Sequence, residues 1–543
     1  MAEPILRVEH LSIALPAGGD RAHAVEDVSL TVHRGEIVCV VGESGSGKSM
    51  LAGAVMGAIP GDLKRDAGVI RLGEIELTAL SEPELRKIRG NRVAMIPQEP
   101  IAALNPVVRV GRQIEEVFAL HTDLPAAERT RRALALLADM HLPDPERIAR
   151  SYPSQLSGGQ CQRVVIAMAL ALEPDLLIAD EPTTALDVTT QAQILKLVCE
   201  LRETHGHGVL FITHDVGVVA EIADRVVVMR KGQLVEAGEA RQVLLAPAHP
   251  YTRELMAAAP GMIPPPHRPV TGEHALVARG LTKTYGARQA LGGVDLEIRR
   301  GETLAIVGES GSGKSTLARI LVRVIASTAG EAHVAGVDML ALKGEALRDK
   351  RCAVQMVFQD PFGSLNPRRR VGDMIVRAGV LAGARPVEAR RRAEELLELV
   401  GLSKAAFHRR PAAFSGGQRQ RVGIARALAA NPDLLIADES VSALDVSVQA
   451  QILDLLRDLQ DRLGLAILFI THDLRVAAQM GHRIAVMQHG VVVETGPAAE
   501  VLTRPSHPYT QALLAPHRGG SWGRRWRWGE PLTLSPRRGE RAG

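Results

Sequence analysis

The sequence has no long apolar segment. None of its 543 residues lies in an uninterrupted apolar run of about 18 residues, the length that a membrane-spanning helix needs. The first residues, MAEPILRVEH, also lack the basic and then apolar pattern of a secretory signal peptide. We therefore expect a cytoplasmic protein, and its length suits two domains of moderate size better than one.

Cysteine is scarce as well. The four cysteines, at positions 39, 161, 199 and 352, are scattered, and no two of them have the CxxC spacing. This pattern predicts reduced thiols and argues against a disulfide framework, a zinc site or an iron–sulfur cluster.

Most of the chain also lacks an excess of charge of one sign. The formal net charge is +4, but the segment from Arg518 onward, with seven arginines and two glutamates, contributes +5 and leaves −1 for the rest. Proteins that bind nucleic acids usually carry a basic surface on the folded domain, so we expect no nucleic-acid partner.

What the sequence does contain is a long internal repeat. The nine residues VGESGSGKS stand at 41–49 and again at 307–315, and HPYT stands at 249–252 and 507–510. Equivalent positions are 266 residues apart at the first motif and 258 apart further along the chain. A repeat on this scale predicts two copies of one domain.

The repeat divides the chain into four segments. We assign the domains to residues 1–258 and 274–516, joined by a Pro-rich linker at 259–273 that should be extended. Residues 517–543 form a tail rich in arginine and tryptophan. A disordered extension is favoured for it, and the alternative is a segment that rests on anionic lipid.

Each copy is predicted to be an α/β domain. Short apolar segments such as EIVCVVGE, DLLIAD and GVLFITHD alternate with helical patterns, which favours a largely parallel sheet. After the second VGESGSGKS, Leu317, Ile320, Leu321 and Val324 have the spacing of one helix face, so this segment is expected between a strand and a helix.

The repeated nine residues contain GxxxxGK[ST], a phosphate-binding loop. Its glycines let backbone N–H groups surround phosphates at a helix N-terminus, its lysine reaches the β- and γ-oxygens, and its hydroxyl binds Mg²⁺. The candidate nucleotide-binding residues are Gly42, Glu43, Ser44, Gly45, Ser46, Gly47, Lys48 and Ser49 in the first copy, and Gly308, Glu309, Ser310, Gly311, Ser312, Gly313, Lys314, Ser315 and Thr316 in the second.

Adjacent carboxylates follow a later apolar strand in each copy. LLIADEP contains Asp180 and Glu181, and LLIADES contains Asp438 and Glu439. Strand-terminal acids usually meet only solvent, but behind a phosphate loop they can divide the chemistry. The aspartate holds the water shell of the metal, and the glutamate orients or deprotonates the attacking water.

Histidine and glutamine recur at two further positions. FITHD contains His214 and His472, and Gln98 and Gln359 stand in MIPQEP and VFQDP. A histidine after a buried strand is most often structural, but a strand beside the central ones would bring it to a γ-phosphate. Each glutamine offers an amide oxygen to Mg²⁺ or to water.

The most specific motif is LSGGQCQR at 156–163, repeated as FSGGQRQR at 414–421. It would present backbone donors at a helix N-terminus, which is a second anion site. Two domains that face each other head to tail would need it, because each would cap the nucleotide on the phosphate loop of the other. The residues concerned are Ser157, Gly158, Gly159 and Gln160, and Ser415, Gly416, Gly417 and Gln418.

Together these motifs resemble those of the ATP-binding cassette (ABC) ATPases, over nearly the whole chain to about residue 516. The set includes the D-loops TALD and SALD, with Asp187 and Asp445. The resemblance implies two P-loop NTPase domains, each a RecA-like core with a helical subdomain, and ATP and Mg²⁺ as cofactors. It implies Glu181, His214, Glu439 and His472 as catalytic residues, and Ser49, Gln98, Asp180, Ser315, Gln359 and Asp438 around the metal.

QEPIAALNP, QDPFGSLNP and HPYT further resemble segments of the oligopeptide/dipeptide importer ATPases, whose relatives also serve nickel, glutathione and peptide uptake. This resemblance implies an ATP-hydrolysing motor at the cytoplasmic face of the inner membrane. It would drive two separate permease subunits and serve, indirectly, a solute-binding protein. Its own domains would pair, so that Lys48 shares ATP with Ser415, and Lys314 shares ATP with Ser157.

Both sites are expected to hydrolyse ATP, because every phosphate and metal position is filled in both copies. One asymmetry concerns the aromatic residue that stacks on adenine in the family. Tyr285 fits this position in the second copy, whereas Leu15 occupies it in the first.

The alternatives are other ABC proteins. A tandem ABC ATPase that acts on ribosomes usually has a long charged helical linker, and a DNA-repair ABC ATPase has coiled-coil or zinc-bearing insertions. Fused sugar importers commonly have a degenerate second site, against which Glu439 and FSGGQ argue. Export is disfavoured by the subfamily resemblance alone.

Overall fold

The structure is a computed structural model that describes residues 4–16, 21–183, 188–266, 270, 272–358, 363–442 and 444–518. Gln359, Asp187 and residues 519–543 of the expected tail lie outside the described residues, as does part of the expected linker.

The first repeat alternates strands and helices. Its strands are β1 (Pro4–Ala14), β2 (His23–His33), β3 (Ile37–Val41), β4 (Lys64–Leu72), β5 (Ile75–Glu76), β6 (Val93–Ile96), β7 (Leu176–Asp180), β8 (Gly208–Ile212), β9 (Arg225–Arg230) and β10 (Gln233–Glu239). Its helices are α1 (Lys48–Val55), α2 (Glu82–Ile88), α3 (Pro100–Ala103), α4 (Val110–His121), α5 (Ala126–Asp139), α6 (Pro145–Arg150), α7 (Gly158–Leu170), α8 (Val188–His205), α9 (Val216–Ile222), α10 (Ala240–Leu245) and α11 (Pro250–Ala258).

The second repeat follows the same order. Its strands are β11 (His274–Tyr285), β12 (Arg288–Arg299), β13 (Thr303–Val307), β14 (Ala329–Val334), β15 (Val337–Asp338), β16 (Val354–Val357), β17 (Leu434–Asp438), β18 (Ala466–Ile470), β19 (Arg483–Gln488) and β20 (Val491–Pro497). Its helices are α12 (Lys314–Leu321), α13 (Gly344–Lys350), α14 (Val371–Leu381), α15 (Pro386–Leu399), α16 (Gly416–Leu428), α17 (Val446–Leu463), α18 (Leu474–Met480), α19 (Ala498–Thr503) and α20 (Pro508–Arg518).

Each repeat is built on a central sheet. In the first the strand order is β10-β9-β3-β8-β7-β6, and β20-β19-β13-β18-β17-β16 is its equivalent in the second. All neighbours are parallel except the outer pairs, β9 with β10 and β19 with β20. The expected, largely parallel α/β sheet is therefore confirmed.

A separate antiparallel sheet stands beside each central sheet, with the orders β2-β1-β4-β5 and β12-β11-β14-β15. This second sheet was not predicted from the sequence. Its signal is the alternation of buried and exposed residues along β1 and β2, which differs from the five consecutive buried residues of β3. Strands covered on both faces are apolar throughout, whereas strands with one wet face alternate.

A helical region projects from each core. In the first repeat α4, α5 and α6 pack on one another and on α7, with Ile114, Phe118, Leu137 and Ile148 in a common apolar core. In the second repeat α14, α15 and α16 form the equivalent group. These helices correspond to the expected helical subdomains.

The helix face predicted after the second phosphate loop extends beyond the end of the observed helix. Leu317, Ile320 and Leu321 are fully buried on α12, as expected. Val324, however, lies beyond the end of the helix and is 66% exposed, so the prediction that it shares this helix face is wrong. The helix stops because the chain turns at Arg323, which has a positive φ of 59°.

The two repeats contact each other through their last helices. Helix α11 of the first repeat packs against α17 of the second, and α20 of the second packs against α8 of the first. The HPYT motifs lie at the starts of α11 and α20, so each of these two contacts between the halves involves a helix that begins with HPYT.

Candidate functional site

The phosphate loops lie between β3 and α1 and between β13 and α12, in the expected strand–loop–helix context. Gly42 and Gly308 have φ of 152° and 153°. A Cβ at these positions would lie 2.1 Å from the carbonyl oxygen of Met229 and 2.2 Å from that of Met487, respectively. Only glycine fits, because the loop passes directly over the backbone of the neighbouring strand.

The two lysines of these loops are buried within their own loops. Nζ of Lys48 donates hydrogen bonds to the carbonyl oxygens of Gly42 and Glu43 at 2.7 and 2.9 Å. Nζ of Lys314 makes the same two bonds in the second repeat. Burial lowers the pKa of Lys48, although the surrounding carboxylates oppose this shift.

The loop hydroxyls meet the aspartates that end the neighbouring strands. Oγ of Ser49 donates to Oδ1 of Asp180 at 3.1 Å, and Oγ of Ser315 donates to Oδ1 of Asp438 at 3.4 Å. Burial raises the pKa of both carboxyls. A hydroxyl beside a buried carboxylate, next to a phosphate loop, is the oxygen donor set that suits Mg²⁺.

The glutamate after each aspartate has a constrained backbone. Glu181 and Glu439 have φ of 47° and 45°, a region that residues other than glycine seldom occupy and that costs about 1–3 kcal/mol. The turn directs each glutamate toward the histidine that follows the adjacent strand. Nδ1 of His214 lies 3.2 Å from Oε2 of Glu181, and Nδ1 of His472 lies 3.6 Å from Oε1 of Glu439.

The glutamine of the first repeat joins this group. Nε2 of Gln98 donates to Oε2 of Glu181 at 2.9 Å, which leaves its amide oxygen for other partners. The first repeat therefore brings Gln98, Asp180, Glu181 and His214 together at the end of its phosphate loop.

The signature residues form helix N-caps, as the sequence predicts. Oγ of Ser157 accepts from the backbone N–H of Gln160, and Oγ of Ser415 accepts from that of Gln418. Because Ser157 and Ser415 are the N-caps of α7 and α16, the backbone N–H groups of each first turn face outward.

A cleft of about 520 Å³ lies over the second phosphate loop. The ring of Tyr285 is half exposed on its wall, and Lys314, Thr316 and Glu439 also line it. This position suits a base that is bound beside the phosphates. Leu15 of the first repeat instead packs partly against the apolar core.

Two tyrosines that were not predicted as site residues support the phosphate loops. The hydroxyl of Tyr251 accepts from the backbone N–H of Glu43 at 3.2 Å, and that of Tyr509 accepts from Glu309 at 3.1 Å. Both belong to HPYT, which had served only as a mark of subfamily. The recurrence of HPYT at equivalent positions in both copies was the sequence feature that could have indicated this structural role.

The second repeat also reaches the phosphate loop of the first. Oδ1 of Asp445 accepts from the backbone N–H of Ser44 at 2.7 Å, and Oγ of Ser447 donates to Oε1 of Glu43 at 2.8 Å. Burial raises the pKa of Asp445, while the nearby Lys48 and His214 oppose this shift. The first site therefore contains side chains from both halves.

Comparison with known proteins agrees with this geometry. The ABC transporter family matches residues 25–184 and 291–442. The oligopeptide/dipeptide transporter C-terminal region matches residues 235–285 and 493–517. The chain belongs to the ABC transporter family, with two cassettes in one polypeptide.

Curated relatives match over nearly their whole length. The peptidoglycan transport ATP-binding protein YejF of Agrobacterium fabrum is 46% identical over 527 residues, which cover 94% of this chain and 96% of the relative. The glutathione import ATP-binding protein GsiA of Salmonella typhimurium is 44% identical over 558 residues, with 94% and 89% covered. GsiA of Escherichia coli O157:H7 is 45% identical over 554 residues, with the same coverage.

The chain is therefore an ATPase, the ATP-binding motor subunit of an ABC importer of the oligopeptide/dipeptide type. Such a subunit works with membrane permease partners. Within the described part of the chain, no helix combines the length and the apolar character that a membrane crossing requires.

Proposed function

We propose that this motor binds two MgATP molecules between its halves and drives the uptake of a peptide-containing solute through two permease subunits. The observation that carries the proposal is the hydrogen bond from Ser44 in the first phosphate loop to Asp445 in the second repeat. This contact supports nucleotide sites to which both halves contribute.

The signature of the second repeat is connected to the same contact. A Cβ on Gly417 would lie 2.3 Å from Cγ1 of Val448, so the start of α16, which carries the signature, packs directly on the first turn of α17. Asp445 is the N-cap of that helix. A movement that brings Asp445 to the first phosphate loop thus carries Ser415 with it, which supports the pairing of Lys48 with Ser415.

Each side chain then has a defined task. The backbone donors and Lys48 hold the phosphates, and Glu181 orients and deprotonates the attacking water. His214, held by Glu181, supports the γ-phosphate. Ser49 and Asp180 would hold Mg²⁺, which neutralises charge on the phosphate oxygens when it is bound. The second repeat carries the equivalent set, so we infer that both sites turn over.

An exposed apolar surface supports permease docking. Ile101 and Val107, shortly after Gln98, are 60% and 78% exposed. Large exposed apolar side chains near a functional residue are candidates for contact with a partner protein. Their closeness to Gln98, which contacts Glu181, would link permease contact to the catalytic glutamate.

The relatives favour the solute class. They are named for glutathione import and peptidoglycan transport, and the matched C-terminal region is that of oligopeptide/dipeptide transporters. A peptide-containing solute is common to these names. Import further implies a solute-binding protein outside the membrane, and the motor itself would lie on the cytoplasmic face of the inner membrane.

The proposal is tested by isolating the full chain with ATP from detergent-solubilised membranes of its own cells and identifying the bound proteins. We expect two different multi-spanning proteins. Val107→Ser should reduce their recovery while ATP turnover remains, and Val324→Ser, the matched change at an exposed valine outside this surface, should not. Recovery of ribosomal or DNA-bound material without membrane proteins would contradict the importer function.

A further inference from the structure

Arg475 makes a buried ion-pair cluster between the two repeats. Its Nη1 and Nη2 donate to Oδ1 and Oδ2 of Asp215 at 2.9 and 2.8 Å, across 260 positions of sequence. Its Nε and Nη2 also donate to Oδ1 and Oδ2 of Asp473 in its own repeat, at 3.1 and 3.0 Å. One guanidinium therefore holds a carboxylate from each half in bidentate geometry, the arrangement of the strongest charge-assisted hydrogen bonds.

Both carboxylates directly follow the histidines of the active sites. Asp215 comes after His214 and is the N-cap of α9, where its Oδ1 accepts from the backbone N–H of Gly217 at 2.7 Å. Asp473 comes after His472 and caps α18 in the same way. A shift of either carboxylate therefore moves the segment that carries the adjacent histidine.

The cluster is charged despite its burial. Burial opposes ionisation of Asp215, but the charge and hydrogen bonds of Arg475 outweigh it and keep the pKa of this carboxyl far below its usual range. Asp215 and Asp473 in turn raise the pKa of Arg475, against the effect of burial. A buried charge held in this way depends on its partners, so the loss of either partner perturbs the rest of the cluster.

The arrangement is not symmetric between the repeats. With the offset of 258 residues, Gly217 is the counterpart of Arg475. A Cβ on Gly217 would lie 1.9 Å from Nη1 of Arg475, so the guanidinium occupies the space that this glycine leaves open. The cluster thus needs one repeat with arginine and one with glycine. Two copies of the second repeat could not pair in this way.

Side-chain contacts and two peptide linkages, His214–Asp215 and His472–Asp473, together form one continuous path between the catalytic glutamates. It runs through Glu181, His214, Asp215, Arg475, Asp473, His472 and Glu439.

We propose that Arg475 is a positioning residue that couples the two ATP sites, because it fixes the segments after His214 and His472 to each other. The inference rests on the proposed pairing of the halves. Beyond that pairing, Arg475 is the residue through which a change at one ATP site affects the other.

A double-mutant cycle in the full chain tests the coupling. In the otherwise unchanged chain, Glu181→Gln should reduce total ATP turnover at least tenfold, because the second site cannot continue alone. The variant Arg475→Gly places the residue of the first repeat at this position of the second. In this variant the second site should hydrolyse ATP independently of the first. Glu181→Gln should then cost only about half of the turnover that Arg475→Gly alone retains.

Matched variants keep the test decisive. Arg462→Ala removes an exposed arginine that pairs with Asp458 in the second repeat, and it should leave the tenfold effect unchanged. Arg475→Lys should retain part of the coupling. If Arg475→Gly does not fold, Asp215→Asn removes one charge of the cluster while it preserves the helix cap.

An equal effect of Glu181→Gln with and without Arg475 would overturn the coupling. So would retention of half the turnover by Glu181→Gln alone. Neither result would affect recovery of the permeases, so failure of the coupling and failure of the proposed function are distinguishable.

Discussion

The backbone N–H of Ser44 in the first phosphate loop donates a hydrogen bond to Oδ1 of Asp445 in the second repeat at 2.7 Å. The two residues are 401 positions apart in the chain. Through this contact, the second repeat directly positions the ATP-binding loop of the first repeat.

Replacement of Asp445 by alanine should therefore slow the first site. A hydrogen bond to a charged group contributes about 1.5–3 kcal/mol, so kcat of that site should fall by roughly 10- to 100-fold. Steady-state ATP hydrolysis measures the effect. Asp454→Ala changes an exposed aspartate on the same helix and should have little influence. Equal turnover by the two variants would argue against a site shared between the repeats.

The catalytic glutamates should contribute alike. Loss of a positioned general base slows a site by roughly 10²- to 10⁴-fold, so with coupled sites Glu181→Gln and Glu439→Gln should each reduce the total turnover at least tenfold, and the double variant should be slower still. Phosphate release reports the rate. Equal participation of the two sites would be refuted if either single variant kept nearly full turnover.

The HPYT tyrosines should affect ATP binding. Tyr251→Phe and Tyr509→Phe remove the hydroxyls that accept from the phosphate-loop N–H groups of Glu43 and Glu309. A hydrogen bond of this kind contributes about 1 kcal/mol, which corresponds to a roughly fivefold rise in the KM for ATP. Tyr152→Phe, on a partly exposed tyrosine before the first signature, is the control. An unchanged KM would mean that the tyrosines serve only packing.

The two sites should differ in their affinity for the base. Tyr285→Ala should weaken ATP binding at the second site by about 0.5–1.5 kcal/mol, because a stacking surface is lost. Leu15→Tyr should strengthen binding at the first site. Nucleotide titration of the two variants separates these effects. The stacking assignment would fail if Tyr285→Ala left both affinities unchanged.

The histidine–glutamate pair of the second site predicts a pH dependence of stability. Burial alone would lower the pKa of His472, but the hydrogen bond and the charge of Glu439 outweigh it and raise the pKa above 6.5. The folded state therefore binds this proton more tightly than the unfolded state. The resulting stabilisation is complete below pH 6.5 and is lost as the pH rises through the raised value.

Melting temperatures of the wild type and of His472→Gln test this dependence. Their difference should be largest near pH 6 and should shrink toward pH 9. His408→Gln, at an exposed histidine of the helical region, is the control substitution. A difference that grows with rising pH would contradict the assigned direction of the shift.

Most residues of each site could be predicted from the sequence because they belong to short motifs of adjacent residues. The phosphate loops, the acids that end β7 and β17, the histidines and the signature caps depend on a few adjacent residues, and the structure places the described ones at the predicted strand ends and helix N-termini. The helix after the second loop was extended too far, to Val324, because periodicity does not register the turn at Arg323. The antiparallel sheets were missed because their alternating strands were not separated from the continuous apolar ones.

The sequence by itself determined the two-cassette organisation, the ATPase chemistry and the likeness to peptide importers, because each is written in short motifs that recur in both copies. Only the tertiary structure decided that Asp445 contacts Ser44, that Tyr251 supports Glu43 and that Arg475 joins Asp215 to Asp473. These pairs are separated by 401, 208 and 260 positions, except for the local one within the second repeat. The first and the last of these long-range contacts depend on how the two halves pack against each other, and the Tyr251–Glu43 contact depends on how the first half folds, and no local pattern of residues specifies either arrangement.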